Sequence, residues 1–367
     1  MRVLLVVLGI YSRIGGIERF NQRLVRCLEE LHGHLISEAA VISLWDSAED
    51  APQGVAKVKL IPGRRSKLLT FSAFIQAIIR FRPHVILYGH VLLTPLLPTA
   101  KVLRPPPKNV LIAHGYEVWG PPWRPIPTWE KWVLGSMVDG VVAVSAYTRS
   151  RMARAYSIEP ARFRVLPRSV DLPPLPDDRD VQGQVILTVG RLEDRYKGFD
   201  KVIMVLPEIV KEFPDVRYRI VGSGPLRAEL AELARQVGVA DRVEFLGRLT
   251  DAELAEAYRS ARMFVLPSNC EGFGIVYLEA WAHGLPVIGG KFDASAEVIA
   301  DGVNGLLVDP DSVEELAGAI KRLLADHDFA CQLGRQGYET VLSNYTHEHF
   351  RRRLAAILKD VAHPCAE

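Results

Sequence analysis

Residues 263–290 read MFVLPSNCEGFGIVYLEAWAHGLPVIGG. MFVLPS at one end and LPVIGG at the other are apolar runs bounded by Pro, Ser and Gly, the pattern of strands buried on both faces. Between them the spacing predicts a helix that starts near Gly274 and stops at His283, with Gly284 in the cap position that glycine fills most easily. Strand, helix and strand in this order join parallel neighbours. The same stretch sets two carboxylates, Glu271 and Glu279, in one short segment, with Gly272 and Gly274 just after the first.

The alternation runs through most of the chain. VLLVVLG, AAVISL, HVILYGH, NVLIAHG and GVVAVS are strand candidates in the first half, with helix-like segments at 17–31 and 68–81. The stretch LPRSVDLPPLPDDRDVQG (166–183) is rich in proline and aspartate and reads as a linker. The pattern then restarts with QVILTVG, RYRIVGSG and RVEFLG, with helices expected over 224–237 and 251–261 and a last one over 346–362. The expectation is two Rossmann-like α/β domains with parallel sheets. The boundaries are 1–170 and 171–345, and the terminal helix (346–367) packs back on the first domain. Ligands of such sheets lie beyond the strand carboxyl ends, so facing sheets would enclose a cleft.

Composition fits a soluble globular protein: 367 residues, 49% hydrophobic and 24% charged. Cys27, Cys270, Cys331 and Cys365 show neither metal spacing nor a paired framework, which favours reduced thiols and a cytoplasmic location. MRVLLVVLGI reads as a first strand, not a signal peptide, and no window reaches the roughly 18 apolar residues of a membrane span. The sequon at Asn344 is therefore taken as accidental. Net charge is +2, but residues 1–176 carry 23 Lys+Arg against 12 Asp+Glu (+11), leaving 45 − 23 = 22 against 43 − 12 = 31 (−9) for the rest. Such a basic half suits anionic lipid or a phosphorylated acceptor, and equally a merely solvated surface.

The chemistry-bearing residues follow strands. Arg191 and Lys197, both following Gly190 at the end of QVILTVG, can grip a diphosphate as a planar fork and a point charge, with the next helix start adding positive potential. Two solvated surface cations would look the same in isolation. Glu271, the amides near Gly272 and Gly274, and Glu279 suit one long polar ligand with hydroxyls and phosphates; a helix-dipole partner or a buried structural pair is the alternative. Gly15-Gly16-Ile17-Glu18 can bring backbone amides to a phosphate or simply form a tight turn. His114 can donate to a substrate oxygen or serve only as a structural hydrogen-bonder.

Other signals point nowhere. Val221-Gly222-Ser223-Gly224-Pro225 lacks the third glycine of a dinucleotide fingerprint. The paired acids at 178–180, 309–311 and 326–328 do not define a metal site, and His347 and His349 point to different helix faces. No nucleic-acid motif backs the basic half.

Together GGIE (15–18), HG (114–115), VGRL with KG (189–198), VGSGP (221–225) and PSNCEGFGIVYLEAWAHGLPVIGG (267–290) resemble the retaining nucleotide-sugar glycosyltransferases of the GT-B fold, family 4, along nearly the whole chain. The resemblance implies that Arg191 and Lys197 neutralise the donor diphosphate beside Gly190. It implies that Glu271 holds the transferred sugar with Gly272, Phe273, Gly274 and Ile275, that Glu279 binds ribose, and that residues around Leu249 flank the base. Gly16 would meet the diphosphate and His114 the sugar–phosphate end. Gly15, Tyr116, Ser145 and Arg149 would line the acceptor side. No metal or other cofactor is implied, and retention would come from same-face attack.

IAHGYEVWG resembles members that use GDP-mannose on lipid-linked acceptors in cell-surface polysaccharide synthesis. KLLTFSAFIQAIIRFR, basic at both ends, is expected either to dock peripherally on the inner face of the cytoplasmic membrane or to be a buried amphipathic helix. Two alternatives stand beside this reading. One is a sugar-phosphate synthase, with Arg13 and Arg19 as a second phosphate grip; the other is a non-catalytic nucleotide-sugar-binding regulator.

Overall fold

A computed structural model describes residues 1–12, 15–50, 58–115, 117, 125–175, 183–193 and 195–362. The chain forms two compact units, Met1–Arg168 with His347–Glu367, and Ser169–Thr346.

Among the described residues the first unit contains β1 (Arg2–Val7), α1 (Gly16–Glu30), β2 (Glu38–Ser43), β3 (Val58–Pro62), α2 (Lys67–Arg80), β4 (Val85–Tyr88), α3 (Leu97–Ala100), β5 (Lys108–Ala113), α4 (Thr128–Met137), β6 (Gly140–Ala143), α5 (Ala146–Tyr156) and β7 (Phe163–Val165). Its parallel sheet has the order β3-β2-β1-β4-β5-β6-β7. The inner strands carry apolar side chains on both faces because helices cover both. One core joins Leu4, Val6, Ile86, Tyr88 and Leu111 to Phe74 and Ile78 of α2, Leu97 of α3, Leu134 of α4 and Met152 of α5. Right-handed crossovers put α1, which leads leftward from β1, on the opposite face.

The second unit contains β8 (Val185–Val189), α6 (Phe199–Glu212), β9 (Arg217–Val221), α7 (Arg227–Gln236), β10 (Val243–Gly247), α8 (Asp251–Ser260), β11 (Met263–Leu266), α9 (Ile275–Ala282), β12 (Val287–Gly290), α10 (Ser295–Val298), β13 (Leu306–Val308), α11 (Val313–Ala325) and α12 (His327–Asn344). The sheet order is β10-β9-β8-β11-β12-β13, all parallel. The last helix, α13 (His347–Ala362), belongs to the first unit. There Phe350 meets Phe20 of α1 edge-on at 5.2 Å, and His347 Nε2 lies 2.8 Å from Glu30 Oε2.

Helix boundaries follow local chemistry. Ser145 Oγ accepts the Thr148 N–H at 2.9 Å to cap α5, and Thr250 and Glu253 form a reciprocal capping box on α8. Behind α9, Gly337 of α12 lies against the buried Trp281 ring, while Gly334 meets the Gly284 carbonyl. The missing side chains let α12 seat α9 from below. Cys27, Cys270 and Cys331 carry no disulfide, and burial, then the charge of Glu30, pushes the Cys27 thiol up to about 12.

Candidate active site

In the second unit the chain leaves β8 toward one sheet edge and re-enters at β11 toward the other, so strand order reverses between these two neighbours. Such a switch point opens a crevice at the carboxyl ends of the strands. Lys197 reaches it from the turn Arg195–Lys197 after β8, and Glu271 from the loop after β11. Their Nζ and Oε1 atoms lie 2.6 Å apart, and the two side chains are only 12% and 13% exposed. Arg191, one residue beyond Gly190, is exposed, with its guanidinium 3.8 Å from Glu193.

Glycines permit this approach. Gly222 stands at φ +140°, and a Cβ there would run into the Gly190 carbonyl. Gly190 in turn leaves room for the Lys197 stem, whose Cδ would sit 3.1 Å from an added Cβ. Gly274 caps α9 in the left-handed region at φ +79°, where only glycine is unstrained. Its neighbours Gly272 and Phe273 are buried, Phe273 edge-on to Tyr345 at 5.8 Å, and Ile275 opens the helix. Glu279, one turn before the end of α9, accepts the Tyr258 hydroxyl at 3.0 Å; the His283 ring stacks on Tyr258 at 5.3 Å. Leu249 is partly buried beside the α8 cap, and the preceding Arg248 donates to Ser223 Oγ at 2.8 Å.

A residue that sequence reasoning missed completes this crevice. Asp293, after β12, is 3% exposed; its Oδ2 accepts the Glu271 N–H at 2.7 Å and the Ser268 hydroxyl at 2.8 Å. Oδ1 accepts the Ser295 N–H at 2.8 Å. Its position at a strand end was the available signal, the same one that marked Arg191.

The first unit has its own reversal, between β1 and β4. Asp46 clamps the loop after β1, accepting N–H groups of Ile10 (2.7 Å), Tyr11 (3.1 Å) and Ser12 (2.7 Å). Burial pushes its carboxyl up, but the Ser43 hydroxyl and these amides outweigh that and hold it below the usual range. Gly15 caps α1, and a Cβ there would lie 2.5 Å from the Glu18 carboxylate. The Gly16 carbonyl accepts from Arg168, whose guanidinium also lies 3.2 Å from His114 Nδ1 and 5.5 Å from the Phe20 ring centre.

His114 follows β5 with Nε2 3.0 Å from the Gly89 carbonyl. Burial, then the charges of Arg168 and His90, holds its pKa well below the ordinary value, so the ring is neutral near pH 7. That fixes one arrangement: Nε2–H donates to Gly89, and Nδ1 accepts from Arg168. Glu117 Oε2 accepts the His114 and Gly115 N–H groups at 3.0 and 2.8 Å. Arg168 escaped the sequence reading because its partners are distant in the chain. Ser145 spends its hydroxyl on the α5 cap, and Arg149 is exposed. Tyr116, Arg13, the acids at 178–180 and Cys365 lie outside the described residues.

Two family models match in tandem: Glycosyltransferase Family 4 over residues 14–173, and Glycosyl transferases group 1 over 177–340. A GDP-mannose-dependent alpha-(1-6)-phosphatidylinositol monomannoside mannosyltransferase of Mycolicibacterium smegmatis is 34% identical over 269 residues, 68% of this chain and 69% of that one. The chain belongs to glycosyltransferase family 4. A Corynebacterium glutamicum relative, a GDP-mannose-dependent monoacylated alpha-(1-6)-phosphatidylinositol monomannoside mannosyltransferase, is 31% identical over 69% of this chain and 70% of that one. Among solved structures, HepE of Anabaena in complex with UDP superposes with a TM-score of 0.80 at 19% identity, covering 98% of this chain and all of that one. The fold of this glycosyltransferase is thus GT-B: two Rossmann-like units with parallel sheets.

Proposed function

We propose that this glycosyltransferase moves mannose from GDP-mannose to a lipid-borne acceptor, with retention at the anomeric carbon and without a metal ion. The observation that carries the donor site is the Lys197–Glu271 pair at the strand-order reversal. A departing nucleoside diphosphate develops negative charge. Lys197, Arg191 and the first amides of α9 are fixed positive groups beside the loop that carries Glu271. Glu271 orients sugar hydroxyls, with Gly272, Phe273 and Gly274 supplying backbone amides, and Glu279 takes the ribose. In the first unit the same reading assigns Gly16 to the diphosphate. It gives His114 the sugar–phosphate end, as a neutral ring whose Nε2–H exchanges the Gly89 carbonyl for a substrate oxygen.

Retention is assigned to attack from the leaving-group face, with the departing phosphate accepting the acceptor's proton. Glu271 is assigned to orienting the sugar, not to covalent attack; a glycosyl adduct trapped on it would overturn this part. The mannose donor and lipid acceptor are supported by the activities of the relatives at 31–34% identity.

The first unit also supports peripheral attachment to an anionic bilayer. Among its described residues, every exposed large apolar side chain lies in the α2–α5 layer: Leu68, Leu69, Phe71 and Ile79 of α2, Leu92, Val102, and Trp129 and Trp132 of α4. No Asp or Glu occurs between Asp50 and Glu117, a span whose exposed cations include Arg64, Arg65, Lys67, Arg80, Arg82 and Arg104. Exposed aliphatic and indole side chains together with cations are the composition of an interfacial surface. No helix among the described residues is long and apolar enough to cross a membrane.

The test is thermal stabilisation by GDP, UDP, ADP and dTDP with and without EDTA, followed by transfer from GDP-mannose to a lipid extract and assignment of the product's anomeric configuration. Ligand at a hundredfold excess over Kd stabilises by about 2.7 kcal/mol. A GDP preference unchanged by EDTA and an α-mannoside product are expected; an inverted product or a strict metal requirement overturns the corresponding part.

A further inference from the structure

We infer that Asp293 is the positioning residue for the donor-binding loop: its carboxylate fixes the Glu271 backbone, and donor affinity depends on that carboxylate being charged. This rests on the assignment of Glu271 to the donor.

The geometry is that of a clamp between two strand ends. Oδ2 takes hydrogen bonds from Ser268 Oγ near the start of the loop that leaves β11 and from Glu271 N in its middle, while Oδ1 takes one from Ser295 N on its own side. The Ala294 N–H returns a bond to the Glu271 carbonyl at 3.3 Å. Gly290, where β12 ends, lies so close to the Ser268 carbonyl that a Cβ would collide with it. The loop ahead of α9 is thus held at its start and at Glu271, whose carboxylate then meets Lys197.

Asp46 and Glu117 clamp loops in the first unit in the same manner, each through N–H groups after a strand. Asp293 differs in its surroundings. Glu271, from the β11 loop, sets a second negative charge beside it, and that charge is paired with Lys197. From α9 comes Tyr277, whose hydroxyl donates to the Leu266 carbonyl and lies 3.1 Å from Ser295 Oγ. Burial raises the Asp293 carboxyl first, the Glu271 charge adds to it, and the N–H and hydroxyl donors offset part, leaving it at about 6. Above that value the carboxylate accepts all three donors. Below it, one oxygen carries a proton, and the acceptor set that holds Ser268 and Glu271 is weakened.

The donor itself has no ionisation in this range. The diphosphate of a nucleotide sugar is esterified at both ends, unlike free GDP, whose terminal phosphate titrates near neutrality. An acid limb in GDP-mannose binding therefore belongs to the protein.

The experiment measures GDP-mannose-induced thermal stabilisation and donor KM from pH 5 to 8 for the wild-type chain, Asp293→Asn and Ser268→Ala. In the wild type, donor affinity is expected to fall as pH drops through about 6. Asp293→Asn, which keeps the shape but loses the charge, should raise KM roughly tenfold at pH 7.5 with kcat less affected, and abolish the acid limb. Ser268→Ala removes one donor to the charged form and should move the limb to higher pH, in a variant that loses only a hydroxyl. A residue that merely supports folding would lower melting temperature while leaving the limb in place. Wild-type stabilisation whose pH course survives in Asp293→Asn overturns the role of Asp293 alone. A wild-type chain stabilised by no nucleotide sugar at any pH refutes the assignment of Glu271, and the inference with it.

Discussion

Lys197 Nζ and Glu271 Oε1 meet at 2.6 Å across the reversal of strand order, although 74 residues separate them in the chain. A nearly buried ion pair contributes little net stability, but breaking it by removing one partner is costly. On the proposed donor assignment the pair stores a cation where the diphosphate would sit. Lys197→Met should lower kcat by on the order of 10²–10³-fold, the loss typical of one fixed charge-stabilising group. Arg191→Met, which removes an exposed side chain, should lose less and mainly in donor KM. A double-mutant cycle with Glu271→Gln should show strong non-additivity, because Lys197 is that carboxylate's ion-pair partner; additive effects would refute the coupling.

His114 gives a pH signature in stability. Its folded pKa lies well below the unfolded value of about 6.5, so above that pH both states are neutral and the contribution is complete. As pH falls below about 6.5 the unfolded chain takes a proton that the folded chain refuses, and stability declines by up to about 1.4 kcal/mol per pH unit. Asp293 acts in the opposite sense: the folded state takes its proton at about 6, the unfolded state only near 4, so stability rises between those values on acidification. Urea unfolding at pH 7.5 and 5.5 separates them. His114→Gln should shrink the loss on acidification by about 1 kcal/mol, and an unchanged difference would count against the buried neutral ring.

The seat of α9 is sensitive to a single methyl group. Gly337 faces the Trp281 ring, which is fully buried and donates from Nε1 to the Asn304 carbonyl at 2.8 Å, so it has nowhere to move. Gly337→Ala improves helix propensity, yet the clash should dominate and cost about 1–3 kcal/mol. Gly318 on α11 has open space around its missing side chain, so Gly318→Ala should be neutral or stabilising. Melting temperatures that move together would contradict the packing argument.

The inner strands were legible because burial on both faces leaves an uninterrupted apolar run, as in VLLVVLG and MFVLPS. β3 was not, since its edge position admits Lys59 and Pro62, and three-residue β7 and β13 carry too little pattern. The Glu271 loop could be read from spacing alone because its glycines, acids and helix are contiguous. Its partners could not: Lys197 is recognisable as a strand-end cation, but nothing local says that it pairs with Glu271. Arg168 reaches Gly16 across 152 residues, and Asp293 reaches Glu271 across 22. Such contacts are products of sheet order, which places distant loops side by side.

The helical layer of the first unit predicts the enzyme's response to lipid. α2 buries Phe74, Ala77 and Ile78 in the core while Leu68 stands 83% exposed, so the helix is apolar on both sides and basic at its ends. Each cation near an anionic surface contributes about 1 kcal/mol, and that part is screened by salt, whereas the aliphatic and indole part is not. Full-length enzyme should therefore co-sediment with vesicles containing phosphatidylglycerol, weakly with phosphatidylcholine alone, and lose binding as salt rises. Lys67→Glu with Arg80→Glu should lower binding by at least tenfold. Leu68→Gln with Phe71→Gln should lower the salt-resistant remainder, and neither pair should alter GDP-induced stabilisation, because all four residues lie on α2, which carries none of the residues assigned to the donor. Binding that is indifferent to lipid charge, or unaffected by all four substitutions, would remove this layer from the account and leave the donor site standing.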